Sequence, residues 1–304
     1  MTQIDDLYLK LGELLQGGEE VESRVGRTRS LWAPSAITVD VATSFPLLQC
    51  KFVDEKKAFG ELLWMIGGGN NAHDLHEKHF GNSRIWDGDA VAFAKRRAAV
   101  GMATMDGDLG RVYGQQWTRW RSADDGLNQL DAMVELLRRE PSSRRAVVTA
   151  FDPMDAEGLT SALPPCHMMF QVGRRSDGTH LSMVQRSADY MLGLPYNLAN
   201  YACLLSLLAD LFGEKARTYT HLFSGDVHVY EAHDDVTLKM LNAAHGCEWP
   251  PLELRIAPGN RKFLSDYKLA DLSVVRKYDG EPYENLGCPV YRARVQTVEA
   301  EKKC

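Results

Sequence analysis

The chain has no excess of positive charge, no paired cysteines and no long apolar run. Its formal net charge is -6 over 304 residues, which argues against a nucleic-acid partner, because such binders need a basic surface to meet phosphates. A local basic pocket is still compatible with that total, since a few arginines dominate the field at short range. Cysteines stand at 50, 166, 203, 247, 288 and 304 with no CxxC spacing. That distribution suits a reduced, cytoplasmic protein better than a disulfide framework or a zinc site. No apolar stretch reaches the ~20 residues a membrane helix needs, so no membrane partner is expected. The opening MTQIDDLYLKLGELL is acidic and amphipathic and does not resemble a signal peptide. Repeats and low-complexity linkers are missing too, and a single domain over 1–304 is expected.

What is present is an ordinary globular composition, 44% apolar and 25% charged. Spacing predicts a helix over 4–15, with Ile4, Leu7, Leu11 and Leu14/Leu15 on one side. Alternation over 36–53 predicts strands ending at Phe45-Pro46. The run EKKAFGELLWMI, 55–66, reads as a helix stopped by Gly67-Gly68-Gly69. Residues 67–112 are glycine-rich and weakly patterned, as an insertion or irregular region would be. Leu130, Met133, Val134 and Leu137 predict a helix over 127–139, and a strand begins in 146–150 after Pro141-Ser142-Ser143. Strands flank the turn Ser176-Asp177-Gly178, and the apolar run 197–212, closed by Gly213, reads as a core helix. A strand near 218–223, a helix near 231–243 and a strand near 251–257 complete an α+β pattern around one large sheet.

Chemistry concentrates in Leu163-Pro164-Pro165-Cys166-His167, followed nineteen positions on by Gln185-Arg186-Ser187-Ala188-Asp189 and then by Gly193-Leu194-Pro195-Tyr196-Asn197. A thiol needs ionisation to attack, and a nearby guanidinium favours the thiolate. Cys50, Cys203 and Cys247 read as structural; Cys166 sits behind two prolines in a non-periodic segment that can aim it. Glu61 is an acid on an otherwise apolar helix face, so it is strongly paired or at work. Asn197 offers a donor and an acceptor that could meet a polar ring edge; it is equally a candidate N-cap for a helix at 198–212. Arg96-Arg97 and Arg174-Arg175 read as solvated surface charge. His73, His76 and His79, interleaved with charged residues, read as solvent-facing rather than as metal ligands.

The compound motif resembles the thymidylate synthase family, whose signature runs Pro-Cys-His, Gln-Arg-Ser-x-Asp and Leu-Gly-Leu-Pro-x-Asn, and the resemblance covers roughly 20–290. It implies one large mixed sheet flanked by helices, dimerising through sheet packing, and one-carbon transfer from 5,10-methylenetetrahydrofolate to C5 of a pyrimidine nucleotide. Cys166 would add to C6, with Glu61 relaying protons at O4 and Tyr113 assisting loss of the C5 proton. Arg27, Arg186 and Ser187 would hold the 5′-phosphate, joined by Arg144 and Arg145 from the partner of a homodimer. Asn197 would read the base, and His228 with Tyr230 the sugar. Trp86, Asp189, Leu163 and Tyr196 would contact the folate.

The chain departs from the pattern at Asp89, where a second tryptophan is expected, at Phe151-Asp152 in place of Trp-Asn, and at Ala232 in place of asparagine. It also runs past Cys288-Pro289-Val290 into an extension, 291–304, where the family ends in a short sealing tail. An open lid and a carboxylate in place of an indole should admit water, which favours a hydroxymethyl over a methyl product. dUMP is the expected substrate, with dCMP and CMP left open. The other readings are a true thymidylate synthase and a catalytically silent nucleotide-binding homologue.

Overall fold

The computed structural model describes residues 3–23, 25–76, 84–121, 125–155, 158–244, 246–281 and 283. The chain begins with α1 (Gln3–Gln16), then β1 (Glu19–Ser23), β2 (Gly26–Trp32) and β3 (Ile37–Asp40). Next come α2 (Glu55–Ile66), a single turn α3 (Ala72–Asp74), α4 (Asp87–Ala99), α5 (Tyr113–Thr118) and α6 (Gln129–Arg139). β4 (Val147–Thr149), β5 (His167–Arg175), β6 (Gly178–Asp189), α7 (Gly193–Phe212) and β7 (Ala216–Tyr230) follow, then α8 (Asp234–Ala244), β8 (Leu252–Ile256) and β9 (Leu272–Arg276).

Seven strands form one mixed sheet in the order β1-β2-β7-β6-β5-β4, with β3 also on β7. β5 and β6 pair antiparallel across a tight turn, whereas β6 and β7 are parallel. Parallel neighbours need a crossover, and the apolar α7 supplies it. Register decides which face of the sheet is covered. Val148, Phe170, Met183, His221 and Ile37 are in one row, and all are buried. In the next row Val147, Gln171, Ser182, Thr220 and Thr38 are all at least partly accessible. Among the described residues, helices therefore pack on one face of the sheet only.

The helices bury the faces their sequences mark. α1 inserts Ile4, Tyr8, Leu11 and Leu15, and leaves Leu14 exposed. Tyr8 stacks on Tyr190 at 4.2 Å, and each hydroxyl donates to the other's carbonyl, at 2.6 and 3.1 Å. α2 is capped by Asp54, which accepts from the Lys57 amide, and packs against α7. α7 ends at Gly213 in the left-handed region, φ 64°, where a glycine avoids the Cβ penalty.

Several expectations change. The strand signal in 36–53 is realised only as β3, and β8 pairs with β9 in a separate ribbon outside the large sheet. The 67–112 region is not loosely structured throughout: it carries α4. Arg96 donates to the Gly158 and Ala162 carbonyls, and Arg97 to those of Leu159 and Ala103, so this pair ties α4 to its neighbours instead of facing water. Arg174 is likewise enclosed, ion-paired to Glu214 at 2.5 Å and lying over the Phe212 ring at 4.4 Å; Arg175 is exposed as expected. His73 binds Asp106, and His76 is partly buried against Asp87 at 2.8 Å. His79 and the 291–304 extension lie outside the described residues. No helix among the described residues is long and apolar enough to cross a membrane.

Candidate active site

Cys166 sits at the entry to β5, where Pro164 and Pro165 stiffen the approach and the Arg186 amide donates to the Cys166 carbonyl at 2.9 Å. The adjoining strand β6 places Arg186 directly opposite. Its guanidinium donates to the Pro165 carbonyl at 3.1 Å and to the Pro164 carbonyl at 2.5 Å, with Nη2 3.8 Å from Cys166 Sγ. Two carbonyls thus hold the cation in place beside the sulfur. Burial pushes the Cys166 thiol up; Arg186 and a hydrogen bond from Tyr113 pull it down, and Asp89 pushes it up again.

Tyr113, at the start of α5, accepts a hydrogen bond from the Cys166 amide at 2.9 Å. Burial holds its phenol well above its ordinary pKa, so it is neutral and acts through its proton. α5 can approach because Gly114 lies against Gly69: a Cβ at Gly114 would stand 2.4 Å from the Gly69 carbonyl oxygen. Glu61 projects from α2. Trp86 Nε1 donates to its Oε1 at 3.0 Å, and Asn200 Nδ2 donates to its Oε2 at 3.3 Å. Burial raises this carboxyl, and the two donors offset part of that rise.

Asn197 is not an N-cap. α7 begins earlier, at Gly193 after Leu192, because the turn following Asp189 is already closed by its own hydrogen bonds. Asp189 Oδ1 accepts from the Met191 and Leu192 amides at 2.9 and 3.0 Å. Asn197 Oδ1 instead accepts from Gln185 Nε2 at 3.1 Å, and its side chain also bonds His167. His167 is buried and its pKa is lowered to about 4 by that burial, so it stays neutral.

β7 carries the remaining residues. His228 bonds Asp226 at 2.8 Å and meets the Tyr230 ring edge-on at 5.1 Å. In register, His228 lies beside Asp189 on β6, and Asp226 beside Ser187. Arg27, on β2, is paired with Glu22 at 3.0 Å and with Glu231 at 3.9 Å. Arg144 and Arg145 precede β4 and are exposed, with Arg145 bonded to Glu140 at 2.6 Å. The sulfur, Arg186, Tyr113, Trp86, Glu61 and Asn197 are thus joined through direct contacts or one shared neighbour, whereas Arg27, Arg144 and Arg145 are held by acids or face solvent.

Three polar residues here had not been singled out: His167, Gln185 and Asn200. Asn200 carried a readable signal, since an amide inside an apolar helix is as costly as the acid that drew attention to Glu61.

A recessed thiol beside a fixed guanidinium, with a buried carboxyl and a neutral phenol alongside, is the arrangement of a covalent group-transfer enzyme. The family model described as thymidylate synthase matches residues 7–288, and the chain belongs to that family. It is therefore a transferase of the pyrimidine C5 one-carbon class, with methylenetetrahydrofolate as co-substrate. Of the residues expected at the folate, Trp86 is buried, Leu163 and Tyr196 are partly buried against the core, and Asp189 closes the turn before α7. Tyr196 meets the Asp54 backbone and senses the Glu61 charge, which places it on the same side as the acid.

Proposed function

We propose that the protein, a single domain acting in the cytoplasm, converts a pyrimidine nucleoside 5′-monophosphate, dUMP first, to its 5-hydroxymethyl derivative. Cys166, ionised with the help of Arg186, forms the S–C6 bond and pushes electron density toward C5 and O4. Glu61 handles the proton at O4, while Asn197 faces the base edge. Methylenetetrahydrofolate supplies the one-carbon unit that C5 takes up. Tyr113 assists departure of the C5 proton as the bond from the one-carbon unit to the folate nitrogen breaks and tetrahydrofolate leaves, giving an exocyclic methylene on the still-bound base. Water adds to that carbon, and the S–C6 bond breaks to return the thiolate.

The observation that carries the hydroxymethyl reading is Asp89. It stands on the first turn of α4, near enough to Cys166 for its charge to be felt by the thiol. A carboxylate there is hydrated, where an indole would exclude water. The phosphate is assigned to Arg186, Ser187 and Arg27, with Arg144 and Arg145 of a second copy completing it. Both are exposed, and Arg144 lines a groove of about 490 Å³ on the uncovered sheet face, which supports that dimer.

Product analysis is the test. Incubation with dUMP and methylenetetrahydrofolate should yield 5-hydroxymethyl-dUMP with tetrahydrofolate, since adding water involves no change of oxidation level. Formation of dTMP with an equivalent of dihydrofolate would instead make the chain a thymidylate synthase. dCMP and CMP run in parallel decide the base and the sugar.

A further inference from the structure

Asn200 is the polar group that the reaction above leaves without a task. Its side chain is fully buried in α7, among Ala199, Tyr201, Ala202 and Cys203, yet it carries two hydrogen-bonding ends. One end is used: Nδ2 donates to Glu61 Oε2 at 3.3 Å. The other, Oδ1, has no hydrogen-bond partner among the described residues. A buried acceptor left unsatisfied is destabilising, and a leucine of similar size would suit this helix better. The amide therefore makes physical sense only through its donor.

Spacing adds a second reason. Asn197 and Asn200 are three residues apart on one helix, so they share a face. The first is held by Gln185 and His167, the second by Glu61. One side of α7 thus presents two amides in sequence, one set at the base edge and one gripping the acid across the α2–α7 interface. With Trp86 on the opposite carboxylate oxygen, each oxygen of Glu61 has one N–H donor.

We propose that Asn200 is a positioning residue that fixes the Glu61 carboxyl and sets the charge state in which it works. The other groups facing Glu61 are Trp86, from the turn before α4, and Tyr196 and Tyr201, from α7. Burial keeps Tyr201 far above its ordinary pKa and raises Tyr196 as well, so neither phenol titrates in the working range. Loss of the Asn200 donor then acts on Glu61 alone. The inference rests on the assignment of Glu61 to proton handling in the proposed function.

The test is the pH dependence of kcat for the full-length protein with Asn200→Leu and Asn200→Asp. Removing a donor to the charged form, or adding a second carboxylate beside it, should move the acid limb upward by about one pH unit. KM for the nucleotide should change much less than kcat. Asn200→Asp keeps the shape of the side chain, so a result survives even if the leucine variant folds poorly. In a Glu61→Gln background, neither Asn200 change should move the limb. An unshifted acid limb in both variants, with only thermal stability reduced, would overturn the inference. Full activity of Glu61→Gln on its own would instead remove the proton-handling assignment beneath it.

Discussion

At the scale of single residues the site is a contest over one sulfur. Burial and Asp89 disfavour the thiolate, and Arg186 with Tyr113 favours it. Arg186 is the only cation among these, and it is anchored by the Pro164 and Pro165 carbonyls instead of by an acid that would neutralise it. Its charge is therefore fully directed at the thiol and at an incoming anion. Arg186→Gln should raise the pH at which Cys166 is half alkylated, and the direction follows from removing the one positive neighbour. Alkylation of Cys166 by iodoacetamide, followed by peptide mapping across pH, measures this. A midpoint that stays put would mean that Arg186 serves phosphate binding only. Cys203 is an internal control, because burial alone holds its thiol far above the usual range.

At the scale of elements, the working geometry depends on close backbone approaches. α5 brings Tyr113 to the Cys166 amide only because Gly114 packs on the Gly68-Gly69 backbone. Gly114→Ala would place a methyl 2.4 Å from the Gly69 oxygen and 2.6 Å from its nitrogen, with no flexible side chain to yield. Overpacking of this kind costs about 1–3 kcal/mol. The displaced helix should also lower kcat by roughly tenfold or more through the Tyr113 contact; thermal melts and steady-state rates on one preparation read both. The glycine triplet was legible as a helix stop after α2, but its second use was not, because no local pattern announces a contact 45 residues away with Gly114. The same limit separates what the sequence revealed from what it hid. α6 could be read from apolar spacing because one face is buried and the other wet, and α2 from an apolar run ending in glycines, since it is buried nearly all round from Ala58 onward. α4 was missed because only Ala90 and Phe93 are buried on it, leaving little periodic signal. Cys166, Arg186 and Tyr113 came from motif and meet in space. The helix start at Gly193 was hidden by Pro195, which reads as a breaker but is well tolerated in a first turn.

At the scale of the whole molecule, the core buries titratable groups whose neutral forms the fold requires. His167 is pushed by burial from 6.5 to about 4, and His221, packed on the same face and hydrogen-bonded through Nδ1 to the Tyr219 hydroxyl at 2.8 Å, is pushed well below its ordinary value. Both are bases with folded pKa values below the unfolded one. Their stabilising effect is complete above the unfolded pKa and is lost as pH falls below about 6.5, for His167 down toward 4, because the unfolded chain takes up protons that the folded one refuses. For His167 alone the span corresponds to roughly 3 kcal/mol. Glu61 works the other way: burial raises its carboxyl, so acid favours its folded form. Burial also raises Glu55, Asp131 and Asp234, whereas, against burial, hydrogen bonds from Arg174 and His228 lower Glu214 and Asp226, so the carboxyls pull both ways and the two histidines decide the slope: the melting temperature should fall between about pH 7 and pH 5. His221→Gln keeps both a donor and an acceptor for Tyr219 but cannot titrate, so its melting curve should lose part of that slope. Equal slopes in the two proteins would mean that the histidines are reached by water, and that the aromatic cluster of Tyr113, His167, Tyr201 and Phe170 behind the sulfur is less sealed than its ring contacts of 4.9 to 5.8 Å imply.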